Sequence, residues 1–377
     1  MIEKKLNILA VVKPKEYDDN VNLNSDSKNQ DDDKNLFDLK RFALNGQSAE
    51  MRKRMLEDKF ILGRIAILGQ CTVIYAPPGT GKTLLVLALL CKSIERGDIR
   101  AEDVFYINAD DNQRGLTDKT ELAEKNGFTI LAPSHHGFNA NMLPAILKDQ
   151  CSNDKARGGV IILDTLKKFA NLMDKTKGTQ FMRCIREFVS HGGSAILLAH
   201  TNKHRNDEGG LIYAGTADVV DDTDCAYTLD EVTLDKSKGI RSVKFSNIKA
   251  RGDNAIEEIY EYSIAEGVSY FDKLRSVRLL GEEEKNATIQ RKKIDEKLRK
   301  NADAIRAIKD LIRRGVTKKT ELINAAAAET GISKNKIMKV LNGHEGRNYA
   351  EGELWQVKIG PDNSHLYRLN VKFEGGV

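Results

Sequence analysis

Short apolar runs alternate with amphipathic stretches through the middle of the chain, and that alternation predicts its architecture. The segments Cys71–Tyr75, Val104–Asn108, Phe128–Leu131, Val160–Leu163 and Ala195–Ala199 are apolar-rich and only four or five residues long, as buried strands are. Helical periodicity runs through Lys82–Arg96, Arg114–Asn126 and Asn141–Cys151, between the first three of these segments and ahead of the fourth. Strands alternating with helices predict an α/β fold, a mainly parallel sheet covered by helices on both faces. After Asp224 the texture changes. Cys225–Leu234, Ile240–Ile248, Glu257–Ser263 and Val268–Phe271 alternate polar with apolar residues, which suits antiparallel strands completing the sheet up to about Leu280.

The flanks read differently. Residues 18–35 are Asp, Asn, Ser and Lys with almost nothing to bury, so 1–49 is expected to be a short N-terminal peptide and a solvated linker ahead of a 50–280 core. Residues 281–301 are charged and Lys-rich and predict a second linker, in part helical. Within 302–377, Ala302–Arg314, Lys318–Thr330 and Ser333–Asn342 predict three short helices. Thr317 is the expected N-cap of the second, Gly331 ends it, and Ser333 caps the third. Trp355 to Leu369 then reads as two strands around a Gly-Pro-Asp-Asn turn, with Trp355 and Tyr367 as core rather than base-stacking platforms. Three helices and a hairpin resemble a winged helix, a small α+β domain, by order of elements rather than by any chemical motif.

Composition narrows the class. The 377 residues include 60 Lys or Arg and 55 Asp or Glu, a formal net charge of +5. The longest apolar run, Leu84 to Cys91, is too short to cross a bilayer, and the first dozen residues carry no cleavable secretory pattern, so a cytoplasmic protein without a membrane span is expected. Cys71, Cys91, Cys151, Cys184 and Cys225 form no CxxC pair and read as reduced core thiols. Charge is unevenly placed. Between residues 285 and 344 there are sixteen Lys or Arg against six Asp or Glu, which points to a polyanionic partner.

The most specific chemical signal is Ala76-Pro77-Pro78-Gly79-Thr80-Gly81-Lys82-Thr83, set between a predicted strand and a predicted helix. In a P-loop, glycines turn backbone N–H groups onto phosphate oxygens at a helix N-terminus, the Lys reaches the β- and γ-phosphates, and the hydroxyl residue ligands Mg²⁺. Lys82 and Thr83 take those places, and ATP with Mg²⁺ is the expected ligand pair. Ala76 stands where a Gly is usual. Val160 to Asp164 is an apolar strand ending in a carboxylate, so Asp164 is expected to hold the cation beside Thr83.

These motifs, with Leu197-Leu198-Ala199-His200-Thr201-Asn202-Lys203 and Ser246-Asn247-Ile248-Lys249-Ala250-Arg251-Gly252, resemble RecA-type ATPases, specifically the RepA-like and DnaB-like hexameric helicases of plasmids and phages. The resemblance covers about residues 50–275. It implies that Lys249 and Arg251 reach across a subunit boundary into a neighbour's ATP. It also implies that a carboxylate after the second strand, Asp110 or Asp111 where most members have Glu, orients the attacking water, and that His200 senses the γ-phosphate. The plain alternatives are a helix-capping role for the two aspartates and a core-edge histidine.

By the same resemblance, the loop after the His200 strand lines a central channel for single-stranded DNA, with Lys203 and Arg205 as candidate contacts. Lys167 and Lys168 after Asp164 are a second possibility, no better than a solvated charge pair. On the third C-terminal helix Lys334, Asn335, Lys336 and Lys339, with Asn342 one turn on, occupy a recognition helix's polar positions, facing duplex DNA or a replication protein. The expectation is a homo-oligomeric, six-membered, ATP-driven DNA helicase or translocase serving replication of a mobile element. A RecA-type ATPase that does not unwind (a loader, recombination or partition factor) and a nucleotide-switched DNA-binding regulator are the rivals.

Overall fold

The computed structural model describes residues 39–54, 59–169, 175–206, 210–213 and 217–370. The N-terminal peptide and the polar stretch 18–35 lie outside these residues. The chain divides into two compact units, 1–55 and 56–377. In the first, a 3₁₀ turn at Leu39–Phe42 precedes helix α1 (Ser48–Arg54).

The second unit opens with β1 (Cys71–Ala76) and α2 (Lys82–Glu95), followed by β2 (Val104–Asn108), α3 (Gln113–Asn126), β3 (Thr129–Leu131), α4 (Leu143–Ser152) and β4 (Val160–Asp164). Then come α5 (Lys175–Ser190), β5 (Ser194–Arg205), β6 (Leu211–Tyr213), α6 (Ala217–Asp222), β7 (Cys225–Asp235), β8 (Ile240–Lys249), β9 (Glu257–Ser263), α7 (Tyr270–Arg275) and β10 (Arg278–Leu279). Among the described residues these strands form a ten-stranded sheet in the order β10-β9-β8-β7-β1-β5-β4-β2-β3, with β6 hanging from β5. The pairs β3·β2, β2·β4, β4·β5, β5·β1 and β1·β7 are parallel, whereas β7·β8, β8·β9 and β9·β10 are antiparallel. The expected mixed α/β sheet is therefore the observed one.

Strand residues alternate between two buried layers, because successive side chains leave a strand on opposite faces. Ile74, Ala76, Tyr106 and Ile162 pack with α2, while Val73, Tyr75, Ile107 and Leu163 pack with α4 and α5. Helix α5 has no counterpart in the sequence reading, although Phe181, Met182, Ile185, Phe188 and Val189 form one apolar stripe. Val268–Phe271, expected as a strand, instead leads into α7. The Ser269 hydroxyl accepts from Asp272 N–H at 3.1 Å, and this N-cap starts a helix there.

Residues 282–300, expected as a linker in part helical, are helical throughout as α8 (Glu282–Lys300), which is applied to the antiparallel strands. Ile289 packs with Val232, Ile259 and Leu280, Lys292 Nζ donates to Glu231 O at 3.0 Å, and Arg291 pairs with Asp235 at 3.3 Å. A strip with so few apolar residues reads as linker in sequence. Its anchoring comes from cations reaching strand carbonyls and carboxylates.

Beyond it, α9 (Ala302–Arg313), α10 (Lys319–Thr330) and α11 (Lys334–Gly343) pack on the antiparallel hairpin β11 (Trp355–Ile359) and β12 (His365–Leu369). Trp355 and Tyr367 are buried in that core, and the indole N–H donates to Leu341 O at 2.7 Å. Gly331 ends α10 at φ 70° and Ser333 caps α11, as expected. Thr317 does not cap α10: Lys318 occupies that position, and Thr317 O accepts from Tyr367 N–H of β12 at 2.9 Å. All five cysteines are free thiols, and no helix among the described residues is long and apolar enough to cross a membrane.

Candidate functional site

The carboxyl ends of the parallel strands meet where β1 hands over to α2, the place where open α/β sheets bind ligands. Strand register brings the motif residues together there. Ala76 lies beside His200, and Asn108 beside Asp164. Gly79 and Gly81 adopt φ 76° and 91°, left-handed values that turn the loop from strand to helix.

Thr83 Oγ1 donates to Asp164 Oδ2 at 2.6 Å. The hydroxyl thus gives its proton to the carboxylate and keeps its lone pairs for a cation. One hydroxyl beside one carboxylate is an all-oxygen donor set of the kind Mg²⁺ takes when water and phosphate complete its shell. Lys82 is buried, and its ammonium donates to Ala199 O at 3.2 Å. Burial lowers its pKa, while Asp164 and Asp110 pull the other way. A buried ammonium at the positive end of a helix is a site a phosphate would satisfy.

The two adjacent aspartates part company. Asp111 Oδ2 accepts from Asn108 Nδ2 at 2.6 Å and from the buried Lys119 ammonium. Asp110 turns the other way, its Oδ2 3.8 Å from His200 Nε2, an electrostatic contact rather than a hydrogen bond. Burial, then Lys82 and Lys167, lower the His200 pKa, so the imidazole is neutral at neutral pH.

Two residues absent from the sequence reading hold the phosphate loop from the antiparallel side. Arg241 donates to Gly79 O at 2.6 Å, and Tyr262 OH donates to Thr80 O at 2.9 Å. They are direct partners across β8 and β9, and Glu231 of β7 lies 3.0 Å from the Arg241 Nε. A Cβ at Gly81 would stand 2.3 Å from the Tyr262 hydroxyl, so this position needs glycine for space as well as for φ. No local motif marks either residue. Alternation on β8 and β9 was the available signal, but it does not say which strand end meets the loop.

Lys249 and Arg251 are not part of this cluster. Lys249 is paired with Ala226, whose neighbour on β1 is Val73. That is toward the amino end of the parallel strands, three residues short of Ala76, or about 10 Å at the usual strand rise. Lys249 Nζ donates to Val220 O and Asp221 O at 2.8 and 2.6 Å, closing the end of α6. Arg251 lies half exposed, 3.3 Å from Asp224 Oδ1, which Arg186 also reaches at 2.7 Å. Asp253 pairs with Arg64.

The expected DNA loop is partly strand. β5 runs on to Arg205 and pairs with β6, while residues 207–209 and 214–216 of the loop are outside the description. The Lys203 backbone lies on this strand. Arg205 makes a two-pronged bond to Asp230 of β7 at 2.7 and 2.8 Å, so its guanidinium faces the sheet rather than standing free on a loop. Lys167 and Lys168 lie exposed on a 3₁₀ turn after Asp164. Lys334, Asn335, Lys336, Lys339 and Asn342 are exposed along α11.

Residues 57–206 match a family model described as an AAA domain. With the mostly parallel sheet, the match supports a P-loop ATPase domain of RecA-like build. It spans the phosphate loop, Asp110, Asp164 and His200 and stops before β7, so Lys249, Arg251 and the C-terminal elements lie outside it. No curated protein matches the chain.

Proposed function

We propose that this ATPase is a ring-forming DNA translocase or helicase serving replication of a mobile element. Its winged-helix-like C-terminal part would hold duplex DNA or a replication protein through Lys334, Lys336 and Lys339. The observation that carries the reading is the separation of Lys249 and Arg251 from their own phosphate loop. Two basic side chains at the far end of the sheet serve a nucleotide only if it belongs to another copy.

Within one subunit, Gly79, Thr80 and Gly81 would wrap phosphate with backbone N–H groups, and Lys82 would move from Ala199 O to phosphate. Thr83 and Asp164 would hold Mg²⁺, which supplies charge neutralisation at the transferring phosphoryl group. Asp110 is the carboxylate left to orient water, since Asp111 is committed to Lys119 and Asn108. His200, neutral and beside Asp110, is placed to register phosphate at the root of the β5–β6 hairpin, where Lys203 and Arg205 lie.

Turnover measured with and without single-stranded DNA, together with unwinding of a forked duplex, tests the proposal. DNA-stimulated hydrolysis with strand separation is the expected result. Stimulated turnover without unwinding indicates a non-unwinding motor, and binding without turnover a nucleotide switch. Micrographs with a non-hydrolysable ATP analogue should show closed rings; monomers would remove the basis for a trans-acting Arg251.

A further inference from the structure

Asp164 Oδ2 accepts a second short hydrogen bond, from the Tyr106 hydroxyl at 2.7 Å. Tyr106 lies on β2, where its register partner on β4 is Ile162, two residues before Asp164. The two are therefore diagonal neighbours on the α2 face of the sheet, a separation of about 7–8 Å that an aromatic side chain spans. The ring is buried among Val104, Val160, Ile162 and the residues of α2, so its direction is fixed by packing.

We infer that Tyr106 is a positioning residue for the cation site, locking the Asp164 carboxylate in the rotation that faces Thr83. This rests on the phosphate-loop reading above. A carboxylate turns readily about its last bond, and one hydrogen bond from Thr83 does not fix it. With Thr83 Oγ1 and Tyr106 OH both on Oδ2, from α2 and β2, the plane of the group is set and Oδ1 is left clear of them. Residues that hold a metal-binding group in place commonly matter about 10- to 100-fold in metal affinity.

Tyr106→Phe removes the hydroxyl and keeps the packed ring. The test titrates MgCl₂ into the full chain with a fluorescent ATP analogue and repeats the binding in EDTA. The Mg²⁺ concentration for half-maximal enhancement should rise about tenfold or more, with binding in EDTA within twofold of wild type. An unchanged Mg²⁺ midpoint overturns the inference, and so does equal loss of binding with and without Mg²⁺, which marks a merely structural role. A cycle with Asp164→Asn gives a second check: Tyr106→Phe should add little once the carboxylate is gone, and fully additive effects again overturn it. Failure of wild type to bind the analogue at all would instead remove the phosphate-loop reading.

Discussion

Lys119 and Asp111 form an ion pair across the first turns of α3, and this pair gives two adjacent carboxylates different surroundings. Lys119 is buried, so it needs a counter-charge; with Asn108 it occupies Asp111 and leaves Asp110 toward the phosphate loop.

Two substitutions should therefore give opposite phenotypes. Asp110→Asn should fold normally and bind ATP, yet lower turnover about 100-fold or more, within the range for a lost general base or water-orienting group. Asp111→Asn should keep more of its turnover but lose about 2–3 kcal/mol of stability, because it strands a buried ammonium. ATPase rates and urea midpoints of the two variants decide this, and the reverse pattern would exchange the roles.

His200 predicts a pH signature. Its pKa is lowered by burial and by Lys82 and Lys167, so the folded protein takes up this proton less readily than the unfolded chain. The imidazole's contribution to stability is full above about pH 6.5, the unfolded value, and is lost as pH falls through the depressed folded one. Wild type should lose urea resistance below pH 6.5 faster than His200→Gln. Parallel curves for the two proteins would count against a desolvated, cation-facing His200.

Removal of the C-terminal part should succeed after Lys300 and fail after Leu280. The shorter cut takes away Ile289 and uncovers Val232, Ile259 and Leu280, at about 1–3 kcal/mol of lost burial. A 1–300 protein should retain ATP binding and lose salt-sensitive affinity for duplex DNA. Unchanged duplex binding after that cut would argue that the C-terminal part meets protein.

Mixing subunits tests Arg251. Arg251→Ala and Lys82→Ala assemblies should each be inactive, the first for want of a group worth about 10³-fold or more in phosphoryl transfer. Some interfaces of a mixture pair an intact Lys82 with an intact Arg251, and part of the activity should return once exchange is confirmed by labelled co-purification. If Arg251 merely pairs with Asp224, its loss costs only ~0–1 kcal/mol and Arg251→Ala alone stays active.

The sequence by itself determined what is encoded locally. The phosphate loop was legible because glycines, a lysine and a threonine at fixed spacing form one continuous backbone feature, and the buried strands because apolar runs have few other uses. Asp164 was legible as the end of such a run. The different surroundings of Asp110 and Asp111 were not, because they depend on Lys119, eight residues on, turning back to Asp111 from α3. Arg241, Tyr262 and Tyr106 gained their places only when distant strands came into register, and register is set by the packing of the whole sheet. The docking of helix α8 escaped notice for a related reason: its hold on the antiparallel strands uses lysine reach and backbone carbonyls, which leave no apolar period in the sequence. The separation of Lys249 and Arg251 from their own phosphate loop is likewise a product of topology. β8 runs back against β7, carrying a motif late in the sequence to the opposite end of the sheet.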